Sequence, residues 1–216
     1  MIVSLKTSKI IAIEGAVCGG KTVLSRGLTA NLSAVRLPEY MELLPLEHLA
    51  HGQILPPRQR FELFLSLDKY RLSNCQGCAL YIFDRSILSI IAFEYSLQMM
   101  GHEVLELAGL LEYSKEAQSY VPDLVVTLNV EPSVQAQRWA ARGNPMDSIF
   151  ISPVFNQYFL SALLRMAALF GSYWIHATSL HPDNAARLIA DSIAAIPIAH
   201  NRISYGHLID AAFNHK

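Results

Sequence analysis

The sequence predicts an α/β fold, a three-layer sandwich in which helices cover both faces of a five-stranded parallel sheet. Short apolar runs alternate with longer segments of helical periodicity, and this alternation is typical of parallel sheets. Polar residues follow several of these runs, as they do where parallel strands end beside a ligand crevice. With 216 residues, the chain suits one core. We therefore expect one domain over residues 1–200, followed by a C-terminal tail over residues 201–216.

Composition and charge exclude several classes of protein. The formal net charge is −1 and only 16% of the residues are charged, so no basic field is present to bind nucleic acid. No apolar run reaches the ~18 residues of a membrane-spanning helix, and residues 1–9 are too short and polar for a secretory signal. Three cysteines do not make a disulfide framework in a chain of this size. These observations predict a cytoplasmic protein.

A glycine-rich loop lies between the first predicted strand and the first predicted helix. The apolar run Ile10–Ile13 leads into Gly15, Gly20, Lys21 and Thr22, which stand at the spacing G-x-x-x-x-G-K-[ST]. Backbone N–H groups can surround a phosphate here because glycines leave the turn free of side chains. The motif predicts that this loop and the start of the helix bind the phosphates of ATP.

The loop residues have separate expected roles. Lys21 places a positive charge at the β- and γ-phosphates, and Thr22 offers a hydroxyl to Mg²⁺. The N-terminus of the helix adds its partial positive charge. We expect ATP to contact seven residues: Gly15, Cys18, Gly19, Gly20, Lys21, Thr22 and Val23.

The second predicted strand, Ala34–Leu37, leads to a carboxylate. Glu39 follows this strand after a single proline. Because the carboxyl ends of parallel strands line one crevice, we expect Glu39 to face the same space as Lys21. The alternative is an ordinary solvent-exposed loop glutamate.

Two charged residues follow the third predicted strand. Residues 41–57 are predicted to be mostly irregular, and Arg58–Ser73 has the periodicity of an amphipathic helix. The strand Ala79–Phe83 then ends at Asp84 and Arg85. An aspartate at this place can hold Mg²⁺, and the arginine can bind the transferred or the accepting phosphate. A helix cap is the alternative role for Asp84.

A predicted lid follows the fourth strand, Leu124–Val130. Pro132 stands near the start of the next helix, as expected for proline. Arg138 and Arg142 are four residues apart, so we expect both guanidinium groups on one face of this helix before a Gly-Asn-Pro sequence ends it. Residues around 138–150 are therefore predicted to close over a triphosphate. A solvent-exposed basic face is the alternative.

The remaining elements complete the alternation of strands and helices. We predict helices at Ile87–Tyr95, Val104–Tyr120, Ser152–Phe170 and Pro182–Ile196, and a fifth strand at Tyr173–Ala177. The tail after Pro197 has a weak helical periodicity that allows it either to dock or to fray.

The order of these motifs resembles the thymidylate kinase and deoxynucleoside kinase families. The resemblance spans most of the chain and is carried by IEGAVCGGKT (Ile13–Thr22), LPEY (Leu37–Tyr40), FELFLSLDKYRL (Phe61–Leu72), FDRS (Phe83–Ser86), PDLVVTLNVEP (Pro122–Pro132) and RWAAR (Arg138–Arg142). It implies the P-loop NTPase fold, ATP and Mg²⁺ as cofactors, and a nucleoside or nucleotide as substrate.

The resemblance also implies roles for single residues. In deoxynucleoside kinases, a glutamate after the second strand is the base for the sugar 5′-hydroxyl, and Glu39 stands at the corresponding place. Asp84-Arg85-Ser86 is similar to their Glu/Asp-Arg-Ser motif, and thymidylate kinases also end this strand in Asp-Arg. The expected metal ligands are Thr22 and Asp84. The expected catalytic residues are Lys21, Glu39, Arg85, Arg138 and Arg142.

We therefore predict a phosphotransferase that moves the γ-phosphate of ATP to a nucleoside monophosphate, as thymidylate kinases do. Two kinase alternatives remain, with a deoxynucleoside 5′-hydroxyl or a non-nucleoside small molecule as the acceptor. A third alternative is a P-loop regulatory module that acts through a protein partner. We expect no nucleic acid and no membrane as partners, and a homodimer is left open.

Overall fold

A five-stranded parallel sheet forms the centre of the protein, for which a computed structural model describes residues 8–44, 55–73, 79–105, 109–112, 121–177, 182–195 and 203–213. The strand order is β2-β3-β1-β4-β5, and every pairing in it is parallel. The strands are β1 (Lys9–Gly15), β2 (Val35–Leu37), β3 (Leu80–Asp84), β4 (Leu124–Leu128) and β5 (Trp174–His176). The predicted sheet is confirmed.

Helices cover both faces of this sheet. They are α1 (Lys21–Leu32), the single turn α2 (Tyr40–Leu43), α3 (Pro57–Ser73), α4 (Ile87–Met99), α5 (Pro132–Ala140), α6 (Pro153–Phe170), α7 (Pro182–Ala195) and α8 (Tyr205–Phe213), with short 3₁₀ turns at Ile149–Ile151 and Gly171–Tyr173. None of the helices in the described ranges is both long enough and apolar enough to span a membrane.

The alternation of side chains along the strands builds the three layers. On β1, Ile11 and Ile13 belong to a cluster with residues of α1 and α7, whereas Ile10 and Ala12 point to the opposite face. On β4, Val125 packs into the largest cluster, which contains residues of α4, α6 and α8. Both faces are therefore apolar, as a parallel sheet between two helical layers requires.

The predicted helix over Val104–Tyr120 is only partly present. Residues 102–105 have no regular structure, residues 109–112 are helical, and residues 106–108 and 113–120 lie outside the described ranges. Tertiary hydrogen bonds satisfy the backbone here, because Leu105 N donates to Glu94 Oε2 at 3.1 Å. Arg60 Nη2 donates to the carbonyl of Glu103 at 3.0 Å. The predicted irregular segment at 41–57 overlaps α2 and the first residue of α3, and its residues 45–54 are not described.

A buried ion pair fixes α3 against α4. Arg60 Nε and Nη2 donate to the two carboxylate oxygens of Glu94, each at 2.8 Å. The side chains are 4% and 0% exposed, so the pair is held away from water. A bidentate arginine–carboxylate pair constrains direction as well as distance. It therefore sets the position of α3 beside the carboxyl edge of the sheet.

The C-terminal segment docks onto the core. Leu208, Ile209 and Ala212 of α8 are at most 1% exposed. The helix packs against α4 and α6, and Tyr95 and Phe213 meet edge to face with ring centroids 5.5 Å apart. Of the two behaviours allowed by the sequence, docking is the one observed for residues 203–213.

We expect Leu208→Ala to lower the free energy of unfolding by about 2–5 kcal/mol, the usual cost of truncating a fully buried leucine. Denaturant titration followed by circular dichroism measures this quantity. Leu188→Ala is the matched control, because Leu188 is 44% exposed. Equal, small effects of the two substitutions would show that α8 does not pack on the core in solution.

Candidate active site

The predicted site residues lie at the carboxyl edge of the central strands. Ile13 of β1 pairs with Asp84 of β3, and Leu37 of β2 pairs with Phe83. The glycine-rich loop, Glu39 and Arg85 each follow one of these strands. The parallel sheet therefore brings together groups that are distant in the sequence.

Two glycines allow the loop its shape. Gly15 has φ 130°, and a β-carbon there would lie 1.8 Å from the carbonyl oxygen of Leu128. Gly20 has φ 91° and caps the N-terminus of α1. Side chains are disfavoured at both positions because the backbone is left-handed, and at Gly15 also because β4 lies against it. The loop can therefore turn tightly enough to aim N–H groups at a phosphate.

Lys21 lies inside the loop and is only 4% exposed. Its ammonium group donates to the carbonyl of Ala16 at 2.7 Å. Burial and the charge of Arg85 together lower the pKa of Lys21 to about 8, although Glu39 and Asp84 oppose the shift. A phosphate bound next to the ammonium group of Lys21 would supply a negative charge that stabilises its protonated form.

Glu39 and Arg85 form an ion pair beside Lys21. Arg85 Nε donates to Glu39 Oε1 at 2.5 Å, and the two side chains are 10% and 16% exposed for Arg85 and Glu39 respectively. Burial alone would raise the pKa of Glu39, but Arg85 and Lys21 outweigh burial and lower this pKa to about 2. Glu39 is therefore a carboxylate at neutral pH, as the predicted role requires.

Glu14, the residue before Gly15, holds the turn that presents Arg85. Glu14 Oε1 accepts hydrogen bonds from Ser86 N at 2.8 Å and Ser86 Oγ at 2.6 Å, and Oε2 accepts one from Ser89. Ser89 in turn accepts a hydrogen bond from Arg85 Nη1 at 3.1 Å. Burial raises the pKa of Glu14, against the effect of these hydrogen bonds. The carboxyl is thus a fixed support for Arg85.

Asp84 contacts α1 at Ser25, whose hydroxyl also lies 3.0 Å from the carbonyl oxygen of Thr22. Its carboxylate is 0% exposed, and Oδ2 lies 3.1 Å from Ser25 Oγ and 2.6 Å from Arg36 Nη2. Its other oxygen, Oδ1, is buried and has no hydrogen-bond partner among the described residues. Within those residues no group of three His, Cys, Asp or Glu side chains could hold a metal ion. A cation at Asp84 would therefore depend on hydroxyl, water and phosphate ligands.

The two lid arginines do not share a helix face, so that prediction is wrong. Helix α5 ends at Ala140, and Arg142 N and Gly143 N bond to carbonyls three residues back. Arg142 therefore lies beyond the end of the helix that carries Arg138. Arg138 Nη1 donates to the carbonyl of Cys18 at 2.9 Å, so it lies at the loop. Arg142 is exposed, and its charge contributes to the lowered pKa of Glu39.

An aromatic cluster extends from the charged groups. Phe93 and Phe150 stack with centroids 6.0 Å apart, and the Arg85 guanidinium carbon lies 5.7 Å from the ring centroid of Phe159. The rings come from α2, α3, α4, α6 and the lid segment. They belong to Tyr40, Phe64, Phe93, Phe150, Phe155 and Phe159. Phe64, Phe93 and Phe150 are only partly buried, and such apolar rings suit contact with a planar ring next to a polar reaction centre.

Sequence reasoning missed four residues of this site: Glu14, Ser25, Arg36 and Gln135. Gln135, which is 2% exposed, donates to the carbonyl of Val17 at 3.2 Å and so ties α5 to the loop. Glu14 and Arg36 were visible as charges inside short apolar strands. Charged side chains are rarely buried without a partner, so their position in these strands could have identified both residues as part of a charged site.

Comparisons with known proteins identify a family and structures with the same fold. Residues 10–148 match the model of a protein family described as an AAA domain. A deoxyguanosine kinase from Dictyostelium discoideum is 29% identical over 145 residues, which cover 61% of this chain and 49% of that protein. The chain thus spans about half the length of this curated relative.

Two solved structures share the fold. A deoxyadenosine kinase from M. mycoides with bound dATP aligns with a TM-score of 0.63 at 17% identity, over 86% of this chain and 99% of that chain. A thymidylate kinase from Candida albicans gives a TM-score of 0.59 at 15% identity, over 88% and 92%. The predicted resemblance to both groups of kinases is confirmed. Because the family model covers well over half of the sequence and includes the phosphate loop, the chain belongs to the AAA domain family of P-loop proteins.

Proposed function

We propose that this protein is a kinase that transfers the γ-phosphoryl group of ATP to the 5′-hydroxyl of a nucleoside. The observation that carries the proposal is the pairing of Glu39 with Arg85 at 2.5 Å, next to Lys21. A carboxylate at this place accepts the proton of an attacking hydroxyl, and the cations on either side stabilise the transferred phosphoryl group. The deoxyguanosine kinase relative supports an acceptor of this class.

The arrangement of cations supports a nucleoside as the phosphate acceptor, in place of the nucleoside monophosphate that the sequence favoured. A monophosphate acceptor needs cations to bind its extra charge. Arg85 is already paired with Glu39. Arg71, the other candidate for this role, is 2% exposed, stacks on the ring of Tyr40 at 4.4 Å and donates to the carbonyl of Arg85 at 2.7 Å. Its contacts are those of a residue that supports the backbone.

Asp84 and Thr22 would hold Mg²⁺, which when bound would neutralise part of the charge of the phosphates of ATP. The buried Oδ1 of Asp84, which has no hydrogen-bond partner among the residues that the structure describes, fits this role, because a buried carboxylate oxygen requires a donor or a cation. The loop amides and Lys21 bind the phosphates and fix their direction. Glu39 orients the acceptor hydroxyl, and Arg85 stabilises the negative charge that develops on the transferred group.

Arg138 and Arg142 would complete the donor side from the lid. Arg138 contacts the loop carbonyl of Cys18, close to the position of the phosphates. Arg142 lies near enough to Glu39 to lower its pKa. Closure of the lid over ATP would exchange these contacts for phosphate contacts and exclude water from the site. The aromatic cluster next to Arg85 would receive the base of the nucleoside.

A transfer assay with a panel of nucleosides and their monophosphates tests the proposal. We expect ATP-dependent formation of nucleoside monophosphates. Activity on monophosphates alone would favour the thymidylate kinase-like alternative. ATP hydrolysis without any acceptor would favour a regulatory module.

We expect the affinity for ATP to fall as the pH rises through about 8. A bound triphosphate raises the pKa of Lys21 above its free value of about 8, so binding is strongest where Lys21 is protonated in the free protein. The dissociation constant should be flat below this pH and should increase above it, until the pH passes the pKa in the complex. Calorimetry with a non-hydrolysable ATP analogue between pH 6.5 and 9.5 measures this. Lys21→Met is the control, and a profile unchanged by this substitution would contradict the assignment.

We expect Glu39→Gln to lower kcat for a nucleoside by roughly 10²- to 10⁴-fold, the usual contribution of a positioned base. The Michaelis constant for ATP should change little, because the donor contacts remain. Glu62→Gln is the matched control, since Glu62 lies on the solvent side of α3 with a side chain that is 61% exposed. Steady-state kinetics of both variants with the best acceptor distinguish the outcomes. A Glu39→Gln enzyme with the full kcat would exclude the role of Glu39 as a base.

A further inference from the structure

Arg36 makes a contact that the proposed reaction does not use. It lies on β2 and reaches the carboxylate of Asp84, with Nη2 2.6 Å from Oδ2. Its Nε donates to Ser25 Oγ at 2.8 Å. The other side of the guanidinium faces Glu42, where Nη1 lies 3.1 Å from Oε2 and Nη2 contacts Oε1. Arg36 therefore lies between two carboxylates, one buried and one near the surface.

The two oxygens of Asp84 differ as a result. Oδ2 is occupied by Arg36 and Ser25, whereas the buried Oδ1 has no hydrogen-bond partner in the described part of the chain. A guanidinium nitrogen 2.6 Å from Oδ2 restricts the orientation of the carboxylate and offsets part of its charge. A divalent cation that approaches Oδ1 would be attracted by less than a full negative charge. It would also be repelled by the nearby arginine.

We infer that Arg36 is a positioning residue for the metal, a built-in counter-ion that aims Oδ1 of Asp84 at the cation site and keeps a free divalent cation from binding tightly there. The inference rests on the proposed function, because it takes Asp84 as the metal ligand. A cation that arrives with ATP brings phosphate ligands of its own, so it depends less on the charge of Asp84. Metal binding is thereby linked to the arrival of the nucleotide.

Glu42 is the second carboxylate that contacts Arg36. Its side chain is 32% exposed, and its pKa is lowered chiefly by the hydrogen bonds from Arg36. When a cation binds Oδ1, Arg36 keeps a carboxylate partner and is not left as an unpaired, half-buried charge. If Arg36 served only to link β2 to β3, Asp84 would be a sufficient partner and Glu42 would not be needed.

Binding of Mn²⁺ to the protein without nucleotide tests the inference, with electron paramagnetic resonance to count free Mn²⁺. We expect Arg36→Gln to bind Mn²⁺ at least about tenfold more tightly than the natural protein, the effect of removing one adjacent cation. Adding Asp84→Asn to this variant should abolish the gain. Arg26→Gln is the matched control, because Arg26 lies 3.5 Å from Glu42 with a side chain that is 68% exposed.

A second variant keeps the test decisive if Arg36→Gln folds poorly. Glu42→Gln leaves the buried contact between Arg36 and Asp84 in place, and it concentrates the arginine charge on Asp84. We expect it to bind Mn²⁺ several-fold more weakly than the natural protein. Thermal unfolding gives an independent readout, since Mg²⁺ should raise the melting temperature of Arg36→Gln more than that of the natural protein.

The outcomes separate this inference from the proposed function. Tighter Mn²⁺ binding by Arg36→Gln, lost again with Asp84→Asn, supports the inference even if no nucleoside is phosphorylated. Equal Mn²⁺ affinity of Arg36→Gln, Glu42→Gln and the natural protein overturns it, even if the kinase activity is found. A gain of the same size in Arg26→Gln also overturns it, because general surface charge would then explain the effect.

Discussion

The buried carboxyl of Glu14 is the contact on which the geometry of this site depends. It lies at the end of β1 and accepts hydrogen bonds from the backbone and hydroxyl of Ser86 and from Ser89. These bonds hold the turn in which Arg85 has φ 68°, a left-handed conformation that costs about 1–2 kcal/mol for a residue with a side chain. The backbone N–H of Arg85 also donates to Ile13 at 3.1 Å. The phosphate loop and the arginine turn are thus fixed to each other through Ile13 and Glu14 at the end of β1.

Charges of opposite sign alternate through the site, and each holds the next in place. Lys21 lies among the carboxylates of Glu39, Asp84 and Glu14. Arg85 lies between Glu39 and Ser89, which is held by Glu14. Arg36 lies between Asp84 and Glu42. Buried charges are costly unless they are paired and hydrogen-bonded, so the network is fixed within narrow limits.

Most of the fold could be predicted because its signals are local. Apolar runs with β-branched residues and helical periodicity gave the five strands and the long helices, since burial on both sheet faces demands such runs. The helix expected at Val104–Tyr120 shows where this reasoning stops. Around its predicted start, the carbonyl of Glu103 accepts a hydrogen bond from Arg60 and the N–H of Leu105 donates one to Glu94. Both side chains come from other helices. Helical periodicity is a local pattern, so it gives no information about hydrogen-bond partners that lie elsewhere in the chain.

By itself, the sequence determined the phosphate loop, because Gly15, Gly20, Lys21 and Thr22 act within one turn whose shape depends on neighbouring residues. It also placed Glu39, Asp84 and Arg85 at strand ends. Only the tertiary structure decided which groups these residues contact. Glu14 meets Ser86 across 72 residues, Arg36 meets Asp84 across 48, and Arg85 meets Glu39 across 46. These partners are chosen by strand order and register, which depend on the packing of the whole sheet and on no single stretch of sequence.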